Sequence, residues 1–266
     1  MNDREKSLNS FKKPVKQVLR YFRILPLYYK LRGTASNNTA NTVDNFDYIN
    51  QFNANPDNPY LVSFPRTGSH WFRMIAELYF ERPTLVRTFY YPDKTDYLLL
   101  HTHDNNLDVV RDNVIYLYRD PVETIYSQLN YYQENSHDIE RISYWTEQYC
   151  KNLSKWLYEE QFTKKKTIIT YEGMKNDLAT EFAKVTAHFG VGFDQDRFKK
   201  VAQKVTKEEV KRKTPHDEQV VQLASDYQIT REEFKEQYSQ LIWQLINQKY
   251  SHLTQYFDMT NSKKDH

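Results

Sequence analysis

Three groups of residues in this 266-residue chain have the types and spacing for anion and proton-transfer chemistry. The first is Pro65-Arg66-Thr67-Gly68-Ser69, one guanidinium, two hydroxyls and one glycine in a tight turn. It lies between a short apolar run, 60–64, and a stretch in which Trp71, Phe72, Ile75, Leu78 and Tyr79 recur at helical spacing. A strand, a hydroxyl-bearing loop and a helix aim backbone N–H groups at a phosphate or sulfate. Arg66 adds a charge that cannot be deprotonated. The Walker pattern GxxxxGK[ST] is absent. The second group is Arg119-Asp120-Pro121, with Ser127 eight residues after the arginine. An arginine leaving an apolar run just before a helix can hold phosphate, and Pro121 suits the first helical turn. The same residues equally fit an Arg119 paired with Asp120 or Glu123 and a solvent-facing Ser127. The third group is His101 and His103 at the end of YLLLHT. A neutral imidazole with an ordinary pKa near 6.5 takes a hydroxyl proton at neutral pH. Residues two apart on a strand share a face, so both rings can point one way. A metal pair would need further ligands, and no cysteine cluster or fixed carboxylate supplies them.

The elements that must position these groups follow from the pattern. Apolar or β-branched runs at 60–64, 85–89, 97–102, 114–118 and 167–171 predict strands. Helices are predicted over 122–132, 139–162 and 175–189, the last closed by Gly190. A final helix is predicted over 230–249, opened by a Thr230/Glu233 capping box and buried through Phe234, Tyr238, Leu241, Ile242 and Leu245. The aromatic stripe of 139–162 reads as core. Strands alternating with helices predict an α/β domain, a three-layer α/β/α sandwich with a mainly parallel central sheet. In such sheets ligands bind at the carboxyl ends of strands, where PRTGS, His103, Arg119 and Tyr171 all fall.

Composition bounds the rest. With 39% hydrophobic and 27% charged residues the chain is globular, and a formal charge of +2 gives no reason to expect nucleic acid as a partner. One cysteine, Cys150, excludes an intrachain disulfide and fits a reducing compartment. No apolar run reaches membrane-spanning length and no secretory signal is evident, so a cytoplasmic chain is expected. No acid occurs between Glu5 and Asp44, where eight lysines and arginines fall, Lys12, Lys13, Lys16, Arg20, Arg23, Lys30 and Arg32 among them. Segment 12–32 reads as a basic amphipathic helix that packs on the domain or contacts an anionic membrane surface peripherally. The Asn-rich stretch 34–58 reads as an exposed loop. The domain is expected over 59–256, with 1–58 ahead of it and a polar tail at 257–266.

Taken in order, the motifs resemble those of the PAPS-dependent sulfotransferases, where PAPS is 3′-phosphoadenosine 5′-phosphosulfate. PRTGSHW resembles the family's 5′-phosphosulfate loop, PKSGTTW. VIYLYRDPVETIYSQ resembles its 3′-phosphate motif, VVYVARNPKDVAVSYY, and His101-Thr102-His103 its strand-end Lys-Thr-His. TIITYEGMKND resembles its Tyr-Glu-Asp-Met segment, and Arg212-Lys213-Thr214 its late Arg-Lys-Gly loop. The resemblance spans about 61–214 and implies a P-loop NTPase-like sulfotransferase fold. It implies transfer of a sulfuryl group from PAPS to an acceptor hydroxyl or amine, leaving PAP, with no metal. His103 would be the general base. Arg66, Thr67, Gly68, Ser69 and His70 would hold the 5′-phosphosulfate, and Trp71 and Tyr171 the adenine. Arg119 and Ser127, with Arg212 and Lys213, would hold the 3′-phosphate. The acceptor is expected to be a saccharide or another small or lipid-linked molecule. Arg66 replaces the usual lysine, His70 a hydroxyl residue, and His101 the strand-end lysine, where a protonated ring would supply the missing cation. The other classes considered are a nucleotide-dependent kinase, which needs the Walker lysine and a magnesium-binding Asp, and a non-catalytic anion- or glycan-binding module.

Overall fold

The computed structural model describes residues 41–42, 46–104, 106–214 and 229–257. Segment 12–32 and the polar tail after Phe257 lie outside the described residues. The first elements are β1 (Asn41–Thr42), α1 (Phe46–Asn53), β2 (Tyr60–Ser63), α2 (Ser69–Phe80), β3 (Arg87–Thr88), β4 (Leu100–Thr102) and β5 (Asn113–Tyr118). They are followed by α3 (Pro121–Tyr132), α4 (Ile139–Leu153), β6 (Lys165–Thr170), α5 (Tyr171–Asn176) and α6 (Leu178–His188). Then come α7 (Gln195–Lys204), α8 (Lys207–Lys213) and α9 (Arg231–Lys249). Four strands make one parallel sheet in the order β4-β2-β5-β6, and β1 pairs antiparallel with β3 apart from it. The expected α/β class with a mainly parallel sheet is what the chain adopts. Because β2 lies between β4 and β5, the loop after β2 opens where the strand order reverses, the usual place for a ligand.

Alternation along the strands sends neighbouring residues to opposite layers. Tyr60, Val62, Val114 and Tyr116 pack with Ile125 and Leu129 of α3, Tyr149 and Leu153 of α4, and Phe234, Ile242 and Ile246 of α9. Leu61, Ile115 and Leu117 pack with Phe72 and Ile75 of α2, Phe182 and Val185 of α6, and Phe198 and Val201 of α7. Three layers result, and the strand tips are the polar edge between them.

Several expectations shift. The Asn-rich stretch is not all loop: Phe46–Asn53 is helical, because Phe52 buries its ring edge-on against Tyr60 at 5.8 Å. The long helix expected over 139–162 ends at Leu153 and continues as a single wide turn, Ser154–Tyr158. There Lys155 and Trp156 both turn inward, the lysine donating to the Val109 carbonyl. The helix expected from 175 begins at Tyr171 and is interrupted at Asp177, whose carboxylate caps α6 through the Thr180 amide. The Thr230/Glu233 capping box is present, though Ile246 rather than Leu245 completes the buried seam of α9.

His188, at the end of α6, is buried, with Nδ1 2.8 Å from the Thr167 hydroxyl. Burial, reinforced by the nearby Lys165 ammonium, pulls its pKa down to about 4. The unfolded chain therefore takes up that proton first. This contribution to stability is complete above the unfolded value near 6.5 and is lost as pH falls toward 4. By pH 5 the loss from this residue should be about 2 kcal/mol. Urea melts at pH 7 and 5 check it: His188→Gln, which keeps an amide for Thr167, should lose less stability between the two than wild type. Equal losses would disprove the assignment.

Candidate active site

The loop after β2 is shaped by two residues in the left-handed region, Arg66 at φ 74° and Gly68 at φ 99°. At Gly68 a Cβ would stand 2.6 Å from Cδ2 of Tyr171, so both the backbone and the ring require glycine. Gly68 is also the N-cap of α2, which places the loop amides at a helix N-terminus. The buried Thr67 hydroxyl donates to the Phe64 carbonyl at 2.8 Å and closes the turn, and Ser69 opens the helix.

This loop is joined to the strand tip after β5. Nε of Arg66 donates to the Ser127 hydroxyl at 3.5 Å, and its guanidinium lies 4.8 Å over the Tyr131 ring. Nη1 of Arg119 donates back to the Arg66 carbonyl at 3.4 Å. The backbone of Arg119 is held at both ends by one buried hydroxyl: its N–H donates to Tyr149 at 3.0 Å, and that hydroxyl donates to its carbonyl at 2.6 Å. Asp120 caps α3 through the Glu123 amide, and Pro121 takes the first helical position. Arg119 is 8% exposed. It pairs with Glu123 at 2.6 Å and lies 4.3 Å over the Tyr171 ring. The Arg119–Glu123 pairing left open by the sequence is therefore present. Even so, Nε of Arg119 is buried without a hydrogen-bond partner among the described residues, and a buried charged donor left unmet is costly unless a ligand meets it.

His103 leaves β4 beside the same loop. Its Nδ1 stands 2.7 Å from the Ser63 carbonyl, which can only accept, so Nδ1 carries the proton and the basic lone pair belongs to Nε2. The turn that carries it is fastened by Asp104, which accepts from Thr102 at 2.8 Å and pairs with Arg111 at 3.0 Å. His101 faces the same way, with ring centroids 4.7 Å apart, yet is bonded differently. Arg73 donates to its Nδ1 at 3.4 Å, which leaves Nε2 to donate to the Ser63 hydroxyl at 3.1 Å. Burial, His103 and Arg73 together hold the His101 pKa well below the ordinary value. A protonated His101 standing in for the strand-end lysine is thus corrected: the ring is neutral, and the buried cation is Arg73 behind it.

The remaining expected residues divide. At the start of α2, Nε2 of His70 accepts from Nη1 of Arg87 at 3.2 Å. Trp71 and Tyr171 meet edge to face at 5.9 Å, rather than as parallel walls, and Tyr171 supports both Gly68 and Arg119. Arg212 and Lys213 lie at the end of a helix rather than in a loop, because Thr206 caps α8 and Glu208 and Glu209 favour its first turn. Arg212 pairs with Glu209 at 2.7 Å, and Lys213 donates to the Phe89 carbonyl at 2.7 Å. Sequence reasoning missed Arg73 and Glu77, buried one turn apart on α2. They share the Thr84 hydroxyl, and Glu77 accepts from the Phe89 and Tyr90 amides, so the two charges pin the segment beneath the site.

A family model described as a sulfotransferase domain matches residues 98–255, more than half the chain. The chain belongs to the sulfotransferase family and is an enzyme of that class. A search of curated protein sequences returns no match. Among solved structures it is similar to mouse sulfotransferase SULT7A1 complexed with PAP, at 17% identity, covering 79% of this chain and 93% of that one, with a TM-score of 0.50. It is also similar to retinol dehydratase in a complex with retinol and PAP, at 14% identity, covering 80% and 87%, with a TM-score of 0.51. At these identities the likeness is one of fold. The family match begins after the PRTGS loop, so that loop's place rests on its position between β4 and β5 and on its bonds to Arg119 and Ser127.

Proposed function

We propose that the protein transfers a sulfuryl group from PAPS to an acceptor hydroxyl, with His103 as general base and Arg66 at the departing phosphate. The observation that carries this reading is the fixed tautomer of His103, which aims its basic lone pair away from Ser63 two residues ahead of the anion loop. In the step, Nε2 of His103 takes the acceptor's hydroxyl proton as that oxygen bonds to sulfur. The bond from sulfur to the bridging phosphate oxygen breaks, and its electron pair leaves with PAP. Arg66 and the loop amides meet the charge that grows on that oxygen, and donors so placed are worth about 10²–10³ in rate apiece. Arg119 and Ser127 hold the 3′-phosphate, which separates PAPS from ATP.

The acceptor side is supported by an aromatic wall. Tyr131 lies under Arg66, and the half-exposed Tyr132 stacks on Trp145 at 5.2 Å and 8°. Such rings suit an acceptor with one flat apolar face, a saccharide ring or another small hydroxyl compound, lipid-linked or not. Retinol in the similar retinol dehydratase complex has the same character.

Isothermal titration with PAP and with ATP, each with and without magnesium, tests the donor. PAP should bind without magnesium and outcompete ATP. Tighter binding of ATP, dependent on magnesium, would overturn the reading in favour of phosphoryl transfer.

A further inference from the structure

Glu123 is out of place in an anion site. It lies one helical turn from both Arg119 and Ser127, on the face of α3 that is to receive the 3′-phosphate. An ionised carboxylate between two phosphate-binding residues repels the ligand unless something cancels it. Three cations do so. Nη2 of Arg119 and Nη1 of Arg231 share the oxygen Oε2, and Nζ of Lys235 takes Oε1 at 2.5 Å. Burial acts to raise the Glu123 pKa, yet Lys235, Arg119 and Arg231 together hold it below the ordinary carboxylate range. Three positive charges meet this one carboxylate, so its own charge is cancelled with cation to spare, although Asp120 also lies within reach of Arg119 and Lys235. Two of the three come from α9, more than a hundred residues along the chain. The start of α9 is fixed there as well. The Tyr126 hydroxyl donates to the Ile229 carbonyl at 3.1 Å, its ring lies 5.3 Å from the Arg231 guanidinium, and the Thr230 capping box sets the first turn.

We propose that Arg231 and Lys235 complete the subsite for the nucleotide's 3′-phosphate. Arg231 presents a second guanidinium beside Arg119, and Lys235 keeps Glu123 neutralised when both guanidiniums turn to the phosphate. Because the two arginines bond one oxygen, their donor atoms lie no more than about 6 Å apart, within reach of one phosphate. The proposal rests on the assignment of Arg119 and Ser127 to that phosphate, and it makes the last helix part of donor recognition. The ligand it selects is an adenosine carrying phosphates on both the 3′ and 5′ oxygens, over one carrying the 5′-phosphate alone.

Titration of the full chain with PAP and with adenosine 5′-phosphate provides the test. The preference for PAP, the ratio of the two dissociation constants, should fall about tenfold in Arg231→Gln, and further when Lys235→Gln is added, while adenosine 5′-phosphate binds within about twofold of wild type. Adding Glu123→Gln to that double variant should recover part of the lost preference, the part owed to the uncancelled carboxylate, while the contact made by Arg231 stays lost. A purely packing role for α9 would instead weaken both nucleotides alike, or neither, and Glu123→Gln would rescue nothing. Any of these outcomes overturns the proposal. If a glutamine variant melts early, Arg231→Lys keeps the charge without the fork and should give an intermediate preference. A wild-type protein with no preference for PAP would refute the underlying 3′-phosphate assignment instead.

Discussion

Replacing His103 with alanine is expected to lower kcat by about 10²–10⁴-fold while leaving PAP affinity within about twofold of wild type. The expectation follows from its bonds. Ser63 fixes the proton on Nδ1, which leaves Nε2 as the base that the proposed mechanism gives to an acceptor hydroxyl, and that mechanism assigns the ring no contact with either phosphate. Single-turnover assays with a proven acceptor measure the step, and titration with PAP measures the binding. Near wild-type turnover in His103→Ala would defeat the mechanism, even in a protein that remains a sulfotransferase. His101→Ala is the control. Its ring is neutral and bonded on both sides, to Arg73 and to Ser63, so its removal leaves the buried Arg73 one acceptor short. That loss should appear mainly in thermal stability and less in kcat. No gain of activity toward low pH is expected from His101, because its pKa lies well below the ordinary value.

Arg119→Ala should weaken PAP binding by about 2–3 kcal/mol, roughly 30–150-fold, the scale for losing charged hydrogen bonds to a phosphate. The substitution should leave the fold intact. Glu123 keeps Arg231 and Lys235, and the strand tip keeps both backbone bonds to Tyr149. Arg119→Lys should fall between, since an ammonium restores charge without the planar fork. Unaltered PAP binding in a folded Arg119→Ala protein would show that the Glu123 pair is the whole purpose of the arginine.

What was legible in the sequence is what is local. PRTGS, Arg119 with Ser127, and His103 each sit within a few residues of a strand end, where an apolar run stops and a turn begins. A parallel sheet then gathers strand ends by necessity. The rest depended on contacts that no window contains. Arg73 and Glu77 sit among apolar neighbours on α2, and charge in a helical pattern reads as exposure. Only the fold shows that backbone amides and the Thr84 hydroxyl are there to receive them. Tyr149 looked like one ring of an aromatic stripe, and its hydroxyl proved to hold the Arg119 backbone. The pairing of Glu123 with Arg119 was legible as a spacing of four. Its pairing with Arg231 and Lys235 was not, because α9 reaches it only through the packing of the layer above the sheet.

The left-handed backbone at Arg66 bears on how this site can evolve. A residue with a Cβ costs on the order of 1–2 kcal/mol more than glycine in that conformation. Selection for a sturdier protein would therefore favour glycine at position 66, and, on the role proposed for Arg66, selection for turnover would hold arginine there. The two pressures meet at a single codon. Stabilising programmes that relax unfavourable backbone angles would find this position early and, on the proposed mechanism, would silence the enzyme by improving it.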